Sequence, residues 1–467
     1  MKSRVVRRGN AASPPSRPST LLPLVICLFL ASCGDDDSTG PPPGPEPSAL
    51  PIETSAQLQA CVSGSTASGA LTEVCLPAVW NGELVVWAHG YTNPGPDRPP
   101  YTPLELPADE ASGFRLKDIV RQLGTQETGF YGYAATSYRR NGLVAPEAVT
   151  DLEQTSEWAR NRLASLAAEH GLPELPVTTL LVGASEGGLS TALVVERPGV
   201  ASSFDGGLAL CPPIGDFRRQ IEWFGDFRIL YDYFFPGIMP GTAVEIPDEE
   251  SVVTDSNWAA TESAIEAALD ADPAATVQLV TVSGVPHDAG ASESLKEATT
   301  QILRYSFMGT NDATNVLGGN PFGNLEAVYS GSEDDVALNT GVARHEADPA
   351  ALTSIEGAFQ TSGDPQVPFV AMHTSRDPVT PIWHMDLYEV KSAGAEEEVT
   401  VMRVDRFGHC GFSLPELVAG FSQLVLQVDE ANLVTSAEVF PDAEMQREFL
   451  RLAWRSGARP VVVGGSP

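Results

Sequence analysis

From residue 79 onward, segments with strand character alternate with segments of helical spacing. That alternation predicts an α/β fold with a mostly parallel central sheet flanked by helices. Two further features support it. The strand-like segments are short and β-branched or apolar throughout, as in residues 177–182, which suits strands buried from both sides. About 150 residues then separate the strand expected at 204–210 from the next at 367–372, too many for a loop, and they predict a largely helical cap insertion.

Taken in order, Asn81-Gly82 stands between Val79-Trp80 and the apolar run 83–88, and it predicts a hairpin turn because both residues tolerate positive φ. The strand after it runs into His89-Gly90. Residues 129–137 read as the next core strand, 147–169 as an amphipathic helix and 177–182 as a central strand. Within the insertion, residues 258–270 and 292–307 have helical spacing, 277–282 look strand-like, and the aromatic-rich stretch 223–235 calls for burial. A last strand at 399–404 leads into Gly408-His409, and 414–426 is helical. The core therefore comprises residues 51–211 and 366–467, with the cap at 212–365.

Charge narrows the function. The 28 Lys and Arg against 61 Asp and Glu give a formal net charge of −33, so the surface should repel nucleic acid and anionic headgroups, and plain solubility accounts for the acidity. Lys2, Arg4, Arg7, Arg8 and Arg17 precede the apolar run Leu21 to Leu30, which is too short to span a bilayer and suits an export signal. Leu30-Ala31-Ser32-Cys33-Gly34 resembles a bacterial lipobox; the resemblance implies cleavage after residue 32 and a lipid on Cys33. Residues 33–50, with three aspartates and a Pro-rich run, read as an extended tether. The expected setting is the cell envelope, with the membrane contacted through the lipid alone. Cys61, Cys75, Cys211 and Cys410 lie in the exported part, where an even count favours disulfides. Three pairings are open; Cys61 with Cys75 closes a short local loop and leaves Cys211 for Cys410.

The chemistry centres on Gly183-Ala184-Ser185-Glu186-Gly187, which follows an apolar strand and opens a helical run. This is G-x-S-x-G in the strand, turn and helix context that thrusts a serine out at a sheet edge. Asp377 follows the strand at 367–372 and His409 follows the last strand, so the chain order is Ser, Asp, His. On these residues, the segment 79–426 resembles the α/β-hydrolase superfamily. The resemblance implies that Ser185 is a nucleophile, His409 a general base and then acid, and Asp377 the group that orients the imidazole. It also implies an oxyanion hole from the backbone amides of Glu186 and Tyr91. Tannase-like and feruloyl-esterase-like enzymes brace this histidine through an adjacent cysteine whose partner precedes the serine. Here Cys410 adjoins His409, and Ala184 stands before the serine.

The expected activity is hydrolysis of small-molecule or polymeric carboxylic esters through an acyl-enzyme, without cofactor or metal, since the histidines show no zinc-ligand spacing. Amide or peptide hydrolysis by the same triad is the alternative, and a binding lipoprotein on an inactive hydrolase fold is a second. His89 is expected to be a structural hydrogen-bonder and Asp405 a surface carboxylate, with the Glu186 side chain in solvent. The aromatic residues Trp223, Phe224, Tyr231, Tyr233, Phe234 and Phe235 suit either an acyl pocket or the cap's own core.

Overall fold

The structure is a computed structural model and describes residues 58–94, 124–125, 129–172, 177–247, 255–397, 399–428 and 461–463. The export signal, Cys33 and the tether lie outside these residues.

One sheet organises the chain. Its strands are β1 (Leu58–Ser65), β2 (Leu71–Pro77), β3 (Trp80–Ala88), β4 (Gly124–Thr125), β5 (Gly129–Thr136), β6 (Thr178–Ala184), β7 (Gly206–Leu210), β8 (Phe369–Arg376), β9 (Val399–Phe407) and β10 (Val461–Val463). They lie in the order β1-β2-β5-β3-β6-β7-β8-β9-β10, with β4 paired to β5 off this path. Every neighbouring pair from β5 through β9 is parallel. The pairs β1–β2, β2–β5, β4–β5 and β9–β10 are antiparallel. With helices on both faces, this is the α/β-hydrolase fold. Every residue of β5 and β7 is buried, which is why these strands carry no polar alternation.

Along β3 the pleat sends alternate residues to opposite faces. Leu84 and Val86 join the core under α1 (Ala145–Glu169) and α2 (Glu186–Val195), while Val85 faces the second core with Phe421 and Leu424 of a late helix. A short α3 (Pro198–Ala201) leads from α2 toward β7. Between β7 and β8 run α4 (Phe217–Phe234), α5 (Asp255–Ala271), α6 (Pro273–Ser283), α7 (Ser292–Leu317), α8 (Asp335–Gly341) and α9 (Pro349–Ala358). Phe227, Tyr231, Trp258, Ile302 and Phe307 give this insertion its own apolar core. The chain closes with α10 (Trp383–Ser392) and the late helix α11 (Leu414–Val428). Among the described residues no helix is long and apolar enough to cross a membrane.

Two local expectations are corrected. Residues 277–282 are helical, within α6. Asp272 accepts the Ala275 N–H at 3.0 Å, Pro273 opens the first turn and Gly284 closes the helix at φ 65°, and these end signals outweigh the β-branched residues between them. Asn81-Gly82 is no hairpin turn. It lies inside β3, where the pairing with β5 jumps from Trp80–Phe130 to Leu84–Gly132, so the chain bulges, with Gly82 at φ 91°. No hairpin can form there because β2 pairs with β5, on the side away from β3.

The two disulfides among the described residues join the pairs the cysteine spacing favours. Cys61 and Cys75 face each other across β1 and β2, with Cα atoms 4.0 Å apart. Cys211, just past β7, is bonded to Cys410, with Cα atoms 5.3 Å apart.

Candidate functional site

Ser185 sits between β6 and α2 at φ 55°, ψ −122°, a backbone conformation that costs a non-glycine residue about 1–3 kcal/mol. Its N–H donates to Leu210 O at 2.9 Å, and its carbonyl accepts from Leu189 N–H at 3.1 Å, which hold the strained turn. The flanking glycines are sterically required. A Cβ on Gly183 would lie 2.2 Å from Gly187 O, and one on Gly187 would lie 2.1 Å from Ala88 O.

The turn aims Ser185 at the loop after β9. Ser185 Oγ is 2.9 Å from His409 Nε2, and His409 Nδ1 is 2.8 Å from Asp377 Oδ2. A carboxylate only accepts, so Nδ1 carries the imidazole proton and Nε2 is left to accept from the serine hydroxyl. Asp377 is fully buried, and its other oxygen accepts the N–H groups of Val379 and Thr380 at 2.8 and 2.9 Å. The Thr380 hydroxyl lies 3.1 Å from Asp377 Oδ2 and 3.1 Å from Cys211 O. Thr374 Oγ1 donates to Gly408 O at 2.7 Å, while the Cys211–Cys410 bond fixes the far side of the histidine. Tyr305 of α7 meets the imidazole edge-on, ring centroids 5.8 Å apart.

Helix α4 braces the Asp377 loop from the insertion. Trp223 Nε1 donates to Pro378 O and Gln220 Nε2 to Val379 O, both at 2.9 Å. Gln220 Oε1 in turn accepts from His384 Nε2 at 2.7 Å, and His384 Nδ1 accepts Gly215 N–H at 3.0 Å. Burial holds His384 well below the usual histidine range, which keeps that nitrogen free of a proton. His89 is a structural hydrogen-bonder as expected, its Nδ1 2.7 Å from Gly90 O and its ring tilted against that of Tyr138, centroids 4.1 Å apart. Asp405 is an exposed carboxylate paired with Arg376.

Tyr91 and Glu186, the residues expected to supply oxyanion donors, line one cavity with Ser185. A Cβ on Gly90 would stand 3.2 Å from Ser185 Cβ, so the turn carrying Tyr91 presses against the serine. Glu186 is the first residue of α2, where an amide has no acceptor within its own helix. Its side chain departs from expectation, being only 5 % exposed. Oε1 accepts Val144 N–H at 2.6 Å and Ala145 N–H at 2.9 Å, at the start of α1. Burial, the leading cause, and the nearby Asp312 push the Glu186 carboxyl up to about 8, against the two amide bonds.

Ser185 opens on a mostly apolar cavity of about 120 Å³, with Phe217, Ile221, Phe224, Tyr305 and Phe322 in its wall. Of the six aromatic residues expected to serve pocket or core, Phe224 lines the cavity, whereas Tyr231 and Phe235 are buried in the insertion's core. Among the described residues, two groups of side chains lie close enough to share an ion, Cys211 with His409 and Cys410, and Cys61 with Glu73 and Cys75. Their sulfurs are in disulfides and offer no thiolate.

No family model matches the chain, and no curated protein does. Among solved structures it is similar to an esterase from Aspergillus oryzae, at 15% identity and TM-score 0.41 over 80% of this chain and 79% of that one. Feruloyl esterase B from Aspergillus oryzae matches at 15% identity and TM-score 0.39, over 80% of each chain. Candida antarctica lipase A in its closed state matches at 12% and 0.39, over 85% of this chain and 91% of the other. At these values the fold assignment rests on strand order and pairing.

Proposed function

We propose that the protein is a serine hydrolase acting on carboxylic esters. What supports this most is one arrangement: Ser185 Oγ in hydrogen-bond reach of His409 Nε2, with His409 Nδ1 on a buried Asp377, in a strained turn facing an apolar cavity. The serine oxygen attacks the ester carbonyl while its proton passes to His409 Nε2. Negative charge collects on the carbonyl oxygen, and the amides of Glu186 and Tyr91 are the donors assigned to it. The tetrahedral adduct collapses, the carbon to alkoxy-oxygen bond breaks, and the alcohol leaves with the proton from His409. Water, deprotonated by the same nitrogen, then releases the acid and restores Ser185.

The apolar cavity wall favours an aliphatic or aryl acyl group over a charged one. The helices of the insertion act in this reading as the cap that sets specificity. The same proposal places the enzyme outside the cytoplasm, tethered by a lipid on Cys33, on the strength of the basic start, the short apolar run and the small residues before that cysteine.

The test is hydrolysis of p-nitrophenyl esters of graded acyl length beside matched anilides, for wild type and Ser185→Ala at equal folded concentration. Ester turnover lost in the variant is the expected result. Anilide turnover alone would move the activity to amides, and ester turnover surviving in Ser185→Ala would remove Ser185 from the mechanism. Cys33→Ala is expected to leave the membrane fraction.

A further inference from the structure

A buried carboxyl, Glu186, and a half-buried one, Asp312, stand behind the oxyanion side of the serine, and the mechanism above uses neither. Glu186 Oε1 accepts the N–H groups of Val144 and Ala145, at the start of α1. Val144, the residue that caps this helix, has no side chain able to accept those bonds. Asp312, from α7, receives the next amide back, Leu143 N–H, at 2.6 Å on Oδ2, and the Tyr91 hydroxyl at 3.1 Å on the same oxygen. Gly142 makes room for it: a Cβ there would lie 2.6 Å from Asp312 Oδ2. Three consecutive amides at the start of one helix are thus taken up by two carboxyl groups. One belongs to an assigned oxyanion residue, and the other is hydrogen-bonded to the second.

We infer that Glu186 is a positioning residue whose side chain ties the oxyanion amide to the start of α1 as a neutral carboxylic acid, with Asp312 tying Tyr91 to the same helix end. The inference rests on the ester-hydrolase reading of Ser185. Geometry carries it. A peptide unit that follows a strained residue is kept in register with a developing oxyanion only if its own residue is held, and Glu186 is held by two bonds to a 25-residue helix. The neutral state follows from the second oxygen. Glu186 Oε2 is buried with no hydrogen-bond partner, so a charge shared with that oxygen would have only the two amides on Oε1 to offset its loss of hydration.

The groups facing Glu186 agree with this. Asp312 of α7 opposes its ionisation, and Arg140, the cation among its neighbours, favours it. Tyr91 after β3 and Tyr138 after β5 are each pushed far above the usual tyrosine range, first by burial, and stay neutral. Arg140 is engaged elsewhere, at 2.7 Å from both Leu143 O and Glu147. As pH rises through about 8, Glu186 gains a charge on the very residue whose amide serves the oxyanion, and that charge opposes the one forming on the substrate.

The experiment is steady-state hydrolysis of a p-nitrophenyl ester from about pH 5 to about pH 9.5, for wild type, Glu186→Gln, Glu186→Ala and Asp312→Asn, with Ser185→Ala as control. In wild type kcat is expected to fall above about pH 8. Glu186→Gln keeps an acceptor for both amides, so it should lose only a few-fold in kcat and lose the alkaline fall with it. Glu186→Ala should lower kcat by roughly tenfold to a hundredfold with KM within about twofold, because the loss is in transition-state stabilisation. Asp312→Asn should lower kcat by less and, because Asp312 opposes Glu186 ionisation, move the alkaline fall to lower pH. Glu186→Ala at wild-type kcat, or an alkaline fall that persists in Glu186→Gln, would overturn the inference. Should Glu186→Ala not fold, the Glu186→Gln profile decides alone. A Ser185→Ala variant that still turns over would instead remove the ester-hydrolase reading beneath it.

Discussion

Replacing Asp377 with Asn tests the triad at its most constrained member. The carboxylate has one oxygen on two backbone N–H groups, those of Val379 and Thr380, and the other on His409 Nδ1. An asparagine can enter this site two ways round. With its amide NH2 toward Val379 and Thr380, donor faces donor at both, and two buried hydrogen bonds are lost at about 1–3 kcal/mol each. With its oxygen there, both bonds survive, so this orientation dominates and the NH2 faces His409 Nδ1. A donor at that position selects the tautomer with its proton on Nε2, which then has no lone pair for the Ser185 hydroxyl. The general base is lost while the fold is kept. A tautomer error of this kind costs about ten-thousandfold in kcat, equivalent to roughly 5 kcal/mol of barrier. The assay is kcat on a p-nitrophenyl ester beside the rate of fluorophosphonate labelling of Ser185, with thermal unfolding as the control for folding. Turnover within about tenfold of wild type, in a variant that melts normally, would refute the assignment of Asp377 as the orienting group.

Three further outcomes follow from the geometry. Gly187→Ala puts a Cβ 2.1 Å from Ala88 O, backbone against backbone, so circular dichroism should show a protein that fails to reach the native fold or melts far below wild type. Ala313→Phe, in the cavity wall, should shift the preferred acyl chain to shorter esters while acetate turnover is retained, read as the ratio of kcat/KM across a chain-length series. Glu186 has a folded-state pKa of about 8 against an ordinary 4.5, so the folded protein binds its proton more tightly; its contribution is full below about pH 4.5 and is lost as pH rises toward 8. Between those limits the wild type should lose on the order of a few kcal/mol relative to Glu186→Gln, visible as a steeper fall of Tm with pH.

Much of the sheet was legible because its strands are local signals: short apolar runs, each ending near a glycine or a turn. Gly183 and Gly187 mark the serine turn for a steric reason that the structure bears out, since neither position has room for a Cβ. What sequence reasoning missed arises from tertiary context. Glu186 reads as a solvated charge until the start of α1 is placed against it. Asp312, Gln220, Trp223 and Tyr305 come from the insertion, far along the chain from the groups they touch, and no spacing announces them. Thr380 offered the one local clue, three residues beyond an aspartate in a loop, where side chain to backbone bonds are common. Asn81-Gly82 misled because the dipeptide favours positive φ equally in a bulge and in a hairpin, and only the position of β2 beyond β5 separates the two.

The bonds from α4 and α7 bear on how substrate gets in. If the insertion swung away as a hinged door, Gln220 and Trp223 would leave the loop that carries Asp377, and Asp312 would leave Leu143 and Tyr91. Opening would dismantle the machinery it uncovers. Entry must therefore use motions of side chains and small segments that leave both helices seated. Directed evolution of this protein should find altered selectivity in residues such as Phe224 and Phe322, and should find transplanted caps inactive unless they bring equivalents of Gln220, Trp223 and Asp312 with them.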